Sequence, residues 1–272
     1  MTTSRPFAEV IGDPIAHSKS PRIHNFWLAE LGIDADYRAC HVRPDELAAY
    51  LAARRADARW RGCNVTLPHK QAVLAHVADP GGVEQSIGAA NTLFWQGGDL
   101  ACTNTDAAGF YAPLAEVPLA GAPVVVVGSG GAARAVLFAL AQMGVGPVTV
   151  LARNALKASG LLAHFGLKGQ TRTLDAPLPP ATLLVNASSL GMAGQPPLDL
   201  DLGNLPGDAI VYDLVYAPLE TPLLAAAHAH GLATIDGLEM LVGQAAVAFE
   251  LLFGAAPPGD SGERLREILL AP

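Results

Sequence analysis

The sequence contains little cysteine: its three cysteines in 272 residues, Cys40, Cys63 and Cys102, lie at no spacing typical of a metal site. Their odd number indicates neither a disulfide framework nor a structural zinc site, and no metal is expected. Such cysteine usage is typical of a reducing cytoplasm, where we expect the protein to act. No uninterrupted apolar run approaches the ~18 residues of a membrane-spanning helix, so no membrane partner is expected.

Charged residues make up only 15% of the chain, and just four of the 17 basic residues are lysines. The 25 acidic residues outnumber them and give a net charge of -8, without a basic tract that could follow a phosphate backbone. A nucleic-acid partner is therefore not expected. The 51% of hydrophobic residues and the length of 272 favour a folded protein with two domains of ~100–200 residues each.

Apolar runs and helical spacings alternate along the first half of the chain. Strands are predicted at residues 7–11, 35–42 and 62–67, and helices at 21–31 and 44–54. The turn sequence Gln96-Gly97-Gly98-Asp99 predicts a hairpin between strands at 91–95 and 100–105. Because strands linked by helices run parallel and hairpin strands run antiparallel, we expect a mixed, mainly parallel sheet.

The second half has the pattern of a doubly wound α/β domain. It begins with Val124–Val127, four β-branched residues typical of a strand buried on both faces. Further strands are predicted at 148–151, 183–186 and 209–213, and helices at 132–143, 156–165, from 221 onward, 240–253 and 262–270. This alternation predicts a parallel sheet with helices on both faces.

A glycine-rich segment, Gly128-Ser129-Gly130-Gly131-Ala132, directly follows the strand at 124–127 and opens a helix. In that context it is a dinucleotide-binding fingerprint, because the glycines let the backbone approach a pyrophosphate whose charge is stabilised by the helix N-terminus. The alternative is a glycine-rich loop of an α/β fold that binds nothing. We expect Gly128, Ser129, Gly130, Gly131 and Ala132 to bind a cofactor.

The end of the next strand, Ala152-Arg153-Asn154, bears on the choice of cofactor. It has no carboxylate for the ribose 2′-hydroxyl of NAD. Arg153 could instead pair with the 2′-phosphate of NADP, and Lys157 would add a second positive charge one helical turn later. NADP is therefore expected, while NAD stays possible because Arg153 could also be a solvated side chain at a strand end.

Four further segments are rich in hydroxyl and amide groups and lie at strand or loop ends: 17–21, 64–70, 91–92 and 104–109. Each alone is typical of turns and helix caps. Together they supply many neutral hydrogen-bond donors and acceptors beside Lys70 and Asp106. This combination suits a polyhydroxylated small molecule that carries a carboxylate.

These segments resemble the shikimate dehydrogenase family over essentially the whole chain. The matching segments are Gly12 to Pro21, Asn64 to Lys70, Ala90-Asn91-Thr92, Asn104-Thr105-Asp106, Gly128 to Ala132, Asn186 to Met192 and Asp236 to Gln244. The resemblance implies an α/β protein of two domains. Residues 1–105, completed by C-terminal helices in 240–272, would form a substrate-binding domain, and residues 106–239 a Rossmann-type NADP-binding domain.

The activity implied by the resemblance is the reversible NADP-dependent reduction of 3-dehydroshikimate to shikimate, in the pathway to aromatic amino acids. Ser18 and Ser20 would then bind the substrate carboxylate. The ring hydroxyls would be held by Asn64, Thr66, Lys70, Asn91, Asp106 and Gln244, and Tyr216 matches a family tyrosine at the substrate. Cofactor contacts are implied for Arg153, Lys157 and Ser188, and for Leu214 and Gly237 at the nicotinamide.

Proton transfer during such a reaction needs an acid and a base, and Lys70 and Asp106 are the expected catalytic pair. Lys70 could also act only as a hydrogen-bond donor while water carries the proton, and His17 or His69 could be the base. One departure from the family pattern affects the cofactor site. The usual Asn-Arg-Thr is here Ala-Arg-Asn, so an amide that helps to hold the adenosine phosphate is missing.

Three other functions stay open on the sequence. A quinate dehydrogenase, or a quinate/shikimate dehydrogenase that uses NAD or both cofactors, would share the fold and the Lys70 and Asp106 pair, although the serine pair is closer to the shikimate type. A folate-interconverting dehydrogenase also joins a small domain with a catalytic lysine to a Rossmann domain. A nucleotide-sensing protein would keep the glycine loop without the chemistry. The chain is expected to be a monomer or a homodimer.

Overall fold

The computed structural model describes residues 5–271. Contacts divide the chain into two compact units: the residues up to Thr105 together with those from Val242 onward form the first, and Asp106–Leu241 forms the second. Within the described residues, no helix has both the length and the apolar character needed to cross a membrane.

The first unit is built on a five-stranded sheet. Its strands are β1 (Phe7–Gly12), β2 (Asp36–His41), β3 (Trp60–Val65), β4 (Thr92–Gln96) and β5 (Asp99–Thr103). They stand in the order β2-β1-β3-β4-β5, with β1 parallel to β2 and β3 and with antiparallel pairs β3–β4 and β4–β5. Gly97 and Gly98 take positive φ values of 61° and 94°, which suits the tight turn of the predicted hairpin. The predicted mixed sheet is confirmed.

The second unit contains a six-stranded sheet in which every pair is parallel. Its strands are β6 (Val124–Val127), β7 (Val148–Leu151), β8 (Gly169–Arg172), β9 (Leu183–Asn186), β10 (Ile210–Asp213) and β11 (Ala233–Ile235). The order β11-β10-β9-β6-β7-β8 is that of a doubly wound dinucleotide-binding sheet: β7 and β8 are added on one side of β6, and β9, β10 and β11 are added on the other. The Rossmann-type prediction is confirmed.

Helices cover these sheets. They are α1 (Ser20–Glu30), α2 (Leu47–Arg55), α3 (Val83–Ser86), α4 (Asp106–Tyr111), α5 (Gly131–Gln142), α6 (Ala155–His164), α7 (Pro222–Ala229), α8 (Gly237–Phe253) and α9 (Gly262–Leu270). Short 3₁₀ turns occur at Pro44–Glu46, Ala72–His76 and Ala112–Leu114. Helix α9 packs against α1, where Arg264 forms an ion pair of 2.8 Å with Glu30 and Arg22 donates 2.7 Å to the carbonyl of Ala271.

The sequence prediction lacks strands β8 and β11 and the short helices α3 and α4, and it starts helix α8 too late. Strand β8 reads Gly-Gln-Thr-Arg and lies at a sheet edge with exposed or half-buried residues, so it has no apolar pattern. Strand β11 is only three residues long. Helix α8 begins at Gly237 rather than at residue 240, because the Asp236 carboxylate accepts the N–H of Leu238 at 2.9 Å and so stabilises an earlier first turn.

Candidate active site

The loops that follow β1 and β3 lie side by side in the first unit, because these strands are parallel neighbours. The N–H of Thr66 donates to the carbonyl of Ile11 at 2.9 Å, and the N–H of Asp13 donates to the carbonyl of Leu67 at 2.9 Å. These loops hold Ser18 on one side and Thr66 and Lys70 on the other. The structure thus brings together two of the segments that the sequence analysis selected.

The two serines of the first loop are joined directly. Ser20 is the first residue of α1 and is buried, and its N–H donates to Ser18 Oγ at 3.3 Å. The next residue, Pro21, suits the first helical turn because it has no N–H to satisfy. The side chain of Lys19 donates to the main-chain carbonyl of Leu269, so α9 holds this loop. Burial, with Arg22 nearby, lowers the pKa of Lys19.

Three of the expected substrate residues belong to one buried hydrogen-bonded chain. Asn64 Nδ2 donates to Thr92 Oγ1 at 2.9 Å, and Thr92 Oγ1 donates to Asn91 Oδ1 at 3.0 Å. Asn91 Nδ2 then lies 3.3 Å from Gln244 Oε1, and the N–H of Thr105 donates to Asn91 Oδ1 at 2.7 Å. The structure therefore places Asn64, Asn91 and Gln244 together in the first unit.

The main chain connects the two catalytic candidates, Lys70 and Asp106, to neighbouring segments of the site. The main-chain carbonyl of Lys70 accepts the N–H of Ala90 at 2.7 Å, which ties the loop after β3 to the segment that precedes β4. Asp106 directly follows Thr105 in the chain, and it is buried at the start of α4. Lys70 is half-buried.

The two histidines considered as alternative bases have different surroundings. His69 is 1% exposed, and its Nε2–H donates to the carbonyl of Val42 at 2.7 Å. That bond engages one of the two ring nitrogens, so we interpret His69 as a structural residue. His17 is exposed and precedes Ser18 in the loop.

The glycine-rich segment of the second unit has the geometry of a phosphate-binding turn. Gly128 has a φ of 114°, and a Cβ at this position would lie 2.9 Å from the carbonyl oxygen of Ala187, so only glycine fits. Gly131 is the first residue of α5, and a Cβ at Gly130 would meet nothing within 4 Å. The open approach to the N–H groups of the helix fits a dinucleotide pyrophosphate.

A buried polar network supports the loops after β9 and β10. Asn186 Oδ1 accepts the hydroxyl of Ser188 at 2.7 Å and its N–H at 3.1 Å. Asn186 Nδ2 donates to Asp213 Oδ1 at 2.8 Å, and Thr221 Oγ1 donates to Asp213 Oδ2 at 2.6 Å. Asn186, Asp213 and Thr221 are all fully buried. Burial raises the pKa of the Asp213 carboxyl, although its three hydrogen bonds favour the charged form.

The residues expected to read the adenosine phosphate follow β7. Arg153 and Lys157 are both exposed. Asn154 is the N-cap of α6, and its Oδ1 accepts the N–H of Lys157 at 2.9 Å. Although Ala152-Arg153-Asn154 departs from the family pattern, Asn154 caps a helix. Ala152 has no polar side chain.

Leu214 and Gly237, expected at the nicotinamide, lie against each other in the second unit. A Cβ on Gly237 would be 2.5 Å from the carbonyl oxygens of both Leu214 and Val215, so a side chain there would separate the start of α8 from the end of β10. Tyr216 is half-buried two residues further on, and burial raises its pKa.

Tyr37, Asp213 and Thr221 support the expected site residues through buried hydrogen bonds, and they are not among the residues expected from the sequence. Tyr37 donates its hydroxyl to Asn64 Oδ1 at 2.6 Å, and Asp213 and Thr221 lie beneath the Ser188 loop. Tyr37 has no motif around it. Asp213 follows a predicted strand at a carboxyl end, which is a position where functional polar residues are common in parallel sheets.

Two family models match the chain. The model of the shikimate dehydrogenase substrate binding domain matches residues 10–93, and that of the shikimate 5′-dehydrogenase C-terminal domain matches residues 237–260. Among curated relatives, the shikimate dehydrogenase (NADP(+)) of Sphingopyxis alaskensis is 67% identical over 267 residues, which cover 98% of this chain and 97% of the relative.

Known structures resemble the chain over its length. Shikimate 5-dehydrogenase from Thermus thermophilus, in complex with NADP(H) and shikimate, is 38% identical with a TM-score of 0.85, covering 97% of this chain and 100% of that one. Quinate dehydrogenase from Corynebacterium glutamicum, in complex with NAD, is 30% identical with a TM-score of 0.85, covering 98% and 99%.

Proposed function

The chain belongs to the shikimate dehydrogenase family, and we propose from this premise that it catalyses the reversible NADP-dependent reduction of 3-dehydroshikimate to shikimate. The reaction belongs to the biosynthesis of aromatic amino acids. The observation that carries the proposal is the 67% identity with an NADP(+)-dependent relative over 98% of the chain. The buried amides of Asn64, Asn91 and Gln244 and their hydroxyl partners support the proposal, since neutral amides and hydroxyls suit a ring that carries several hydroxyl groups.

The substrate carboxylate is assigned to Ser18 and Ser20. Because Ser18 Oγ accepts the N–H of Ser20, the Ser18 hydroxyl proton can donate to a carboxylate oxygen. The ring hydroxyls are assigned to residues of the first unit, namely Asn64, Thr66, Lys70, Asn91 and Gln244. Asp106 and Tyr216, of the second unit, keep the substrate roles that the family resemblance implies.

Lys70 and Asp106 are assigned the proton transfer. Reduction of a carbonyl needs a proton on the carbonyl oxygen, and oxidation of the alcohol needs a group that accepts the hydroxyl proton. The bond from His69 to the carbonyl of Val42 argues against His69 as the base. His17 is exposed and is separated in sequence from the Asn64 to Lys70 segment, so we prefer Lys70 to His17 as the proton-transfer group.

The second unit is assigned as the NADP-binding domain. The turn at Gly128 and the N-terminus of α5 fit the pyrophosphate, and Ser129, Gly130, Gly131 and Ala132 complete that turn. Contacts elsewhere in the cofactor are assigned to Arg153, Lys157, Ser188, Leu214 and Gly237. When bound, NADPH supplies the hydride that the carbonyl carbon receives.

A quinate/shikimate dehydrogenase that uses NAD or both cofactors is the second candidate. It is considered because the chain also resembles the quinate dehydrogenase with NAD, at a TM-score of 0.85 and 30% identity. The serine pair and the absence of an acidic residue after β7 favour the first candidate. Family membership argues against the folate-interconverting and nucleotide-sensing hypotheses.

The test is the reduction of 3-dehydroshikimate by NADPH with the purified chain, followed by identification of the product by NMR. We expect stoichiometric shikimate. A different product, or no oxidation of NADPH, would contradict the proposal. We further propose a monomer or homodimer, to be measured by light scattering, and a cytoplasmic location, which the three unpaired cysteine thiols fit.

A further inference from the structure

Tyr37 lies in β2, the edge strand of the first sheet, yet it is only 2% exposed. Its main chain is held by the side chain of Asn25, which accepts the Tyr37 N–H at 2.9 Å and donates to the Tyr37 carbonyl at 2.7 Å. The imidazole of His24 stacks on its ring at a centroid distance of 3.9 Å and an interplanar angle of 3°. Backbone and ring are therefore both fixed, and the hydroxyl is aimed at Asn64 Oδ1, 2.6 Å away.

The direction of the buried hydrogen-bonded chain is determined at its far end. A main-chain N–H can only donate, so the bond of 2.7 Å from Thr105 fixes which atom of the Asn91 amide is the oxygen. That oxygen cannot donate, so Thr92 Oγ1 must donate to it. With its proton used, Thr92 Oγ1 must accept a proton from Asn64.

Asn64 consequently presents its NH₂ group to Thr92 and its carbonyl oxygen to Tyr37, which must donate. A phenol is suited to this task, because burial raises the pKa of Tyr37 well above its ordinary value and keeps the proton on the oxygen. Reversal of the Asn64 amide would turn its NH₂ group toward Tyr37 and its carbonyl oxygen toward Thr92. Thr92 would then lose its donor.

We propose that Tyr37 is a positioning residue of the substrate site: by donating to Asn64 Oδ1, its hydroxyl holds the Asn64 amide in the orientation that Thr92 selects. The inference rests on the proposed function, in which Asn64 holds a ring hydroxyl. Amides locked in one orientation present a fixed pattern of donors and acceptors, and a substrate hydroxyl binds only where that pattern matches its own.

The first test compares Tyr37→Phe with Tyr50→Phe. Tyr50 is a matched control because its hydroxyl donates to buried Glu9 Oε2 at 2.7 Å in the same unit, outside the chain of amides. We expect Tyr37→Phe to raise the KM for shikimate ~10-fold, which is about 1.4 kcal/mol, with the KM for NADP unchanged and kcat within ~2-fold. Tyr50→Phe should lower stability and leave the KM for shikimate unchanged.

An unchanged KM in Tyr37→Phe, or an equal rise in both variants, would overturn the proposal. A double-mutant cycle sharpens it: in an Asn64→Ala background, Tyr37→Phe should change the KM for shikimate less than ~2-fold. Additive ~10-fold effects would show that Tyr37 acts by another route.

A second test does not depend on turnover. In ¹⁵N–¹H spectra of the chain without substrate, Tyr37→Phe should shift the side-chain amide signals of Asn64, whereas Tyr50→Phe should not. Unmoved signals would overturn the proposal even if shikimate is the substrate. If shikimate is not turned over by the wild type, the proposed function fails, and these spectra still decide whether Tyr37 holds the Asn64 amide.

Discussion

The carboxylate of Asp213 accepts a hydrogen bond of 2.8 Å from the side-chain amide of Asn186, which joins the last residues of two neighbouring strands, β10 and β9. The same carboxylate also accepts the hydroxyl of Thr221 at 2.6 Å and the N–H of Val215 at 3.0 Å. One buried acceptor therefore holds the loop with Ser188, the loop with Leu214 and the start of α7.

Replacement Asp213→Asn should weaken this arrangement, because an NH₂ group would face at least one of three donors. We expect the free energy of unfolding to fall by ~2–4 kcal/mol and the KM for NADP to rise, with the KM for shikimate nearly unchanged. Urea denaturation and initial rates measure these changes. Asp201→Asn is the control, since Asp201 is exposed and accepts the N–H of Gly203 at 3.0 Å. A stability loss without any change in the KM for NADP would limit Asp213 to a folding role.

Lys70→Met keeps the length of the side chain and removes the ammonium group. If Lys70 transfers the proton, kcat should fall by ~10²–10⁴-fold while the KM for shikimate changes much less. Lys168→Met, at an exposed lysine of the second unit, should leave both constants unchanged. A raised KM with an unchanged kcat would make Lys70 a binding residue only.

Arg153→Ala tests how the cofactor is selected. A bidentate contact with an exposed 2′-phosphate is worth ~1.5–3 kcal/mol, so the ratio of kcat/KM for NADP over NAD should fall ~10–150-fold. Added salt should weaken NADP binding more than NAD binding, because the contact joins exposed charges. Arg172→Ala serves as the control, since that side chain donates to the carbonyl of Pro177. If the ratio is the same in wild type and Arg153→Ala, Arg153 does not read the phosphate.

His24 makes stability depend on pH. Burial among uncharged rings, including those of Tyr37, Trp27 and Phe249, lowers the pKa of His24 to about 3. The unfolded chain, with a histidine pKa of ~6.5, binds a proton that the folded chain rejects, so stability is lost as the pH falls below ~6.5.

Between pH 7 and pH 5 the contribution of His24 amounts to about 2 kcal/mol. His24→Phe should keep the ring stack and remove that part of the loss, because neither ring nitrogen has a hydrogen-bond partner within residues 5–271. Urea denaturation at both pH values, with His164→Phe as an exposed control, measures the difference. An unchanged pH slope in His24→Phe would contradict the assignment.

Much of the fold could be predicted because its strands carry strong local patterns. Val124–Val127 was expected as a doubly buried strand, and all four residues are buried in β6. Strand β8 could not be predicted, since its residues are polar and its pairing with β7 comes from tertiary structure. The hydrogen bond that the Asp236 carboxylate accepts from the N–H of Leu238 stabilises an earlier start of α8, which helical spacing alone does not reveal.

The residues of the candidate site likewise fall into two groups, those with a local sequence pattern and those without one. Residues within motifs, such as Ser18 and Lys70, were found because polar groups at strand ends stand out in the sequence. Tyr37 was not, because its hydroxyl meets Asn64 across 27 residues and a single tyrosine in a strand is typical of a core residue. Contacts between a site residue and the side chain that supports it depend on tertiary packing, which no local sequence pattern reveals.

The proposed activity is tested most directly by a comparison of kcat/KM for shikimate and quinate, each with NADP and with NAD, under one set of conditions. We expect the highest kcat/KM for shikimate with NADP. A higher value for quinate, or for shikimate with NAD, would contradict it.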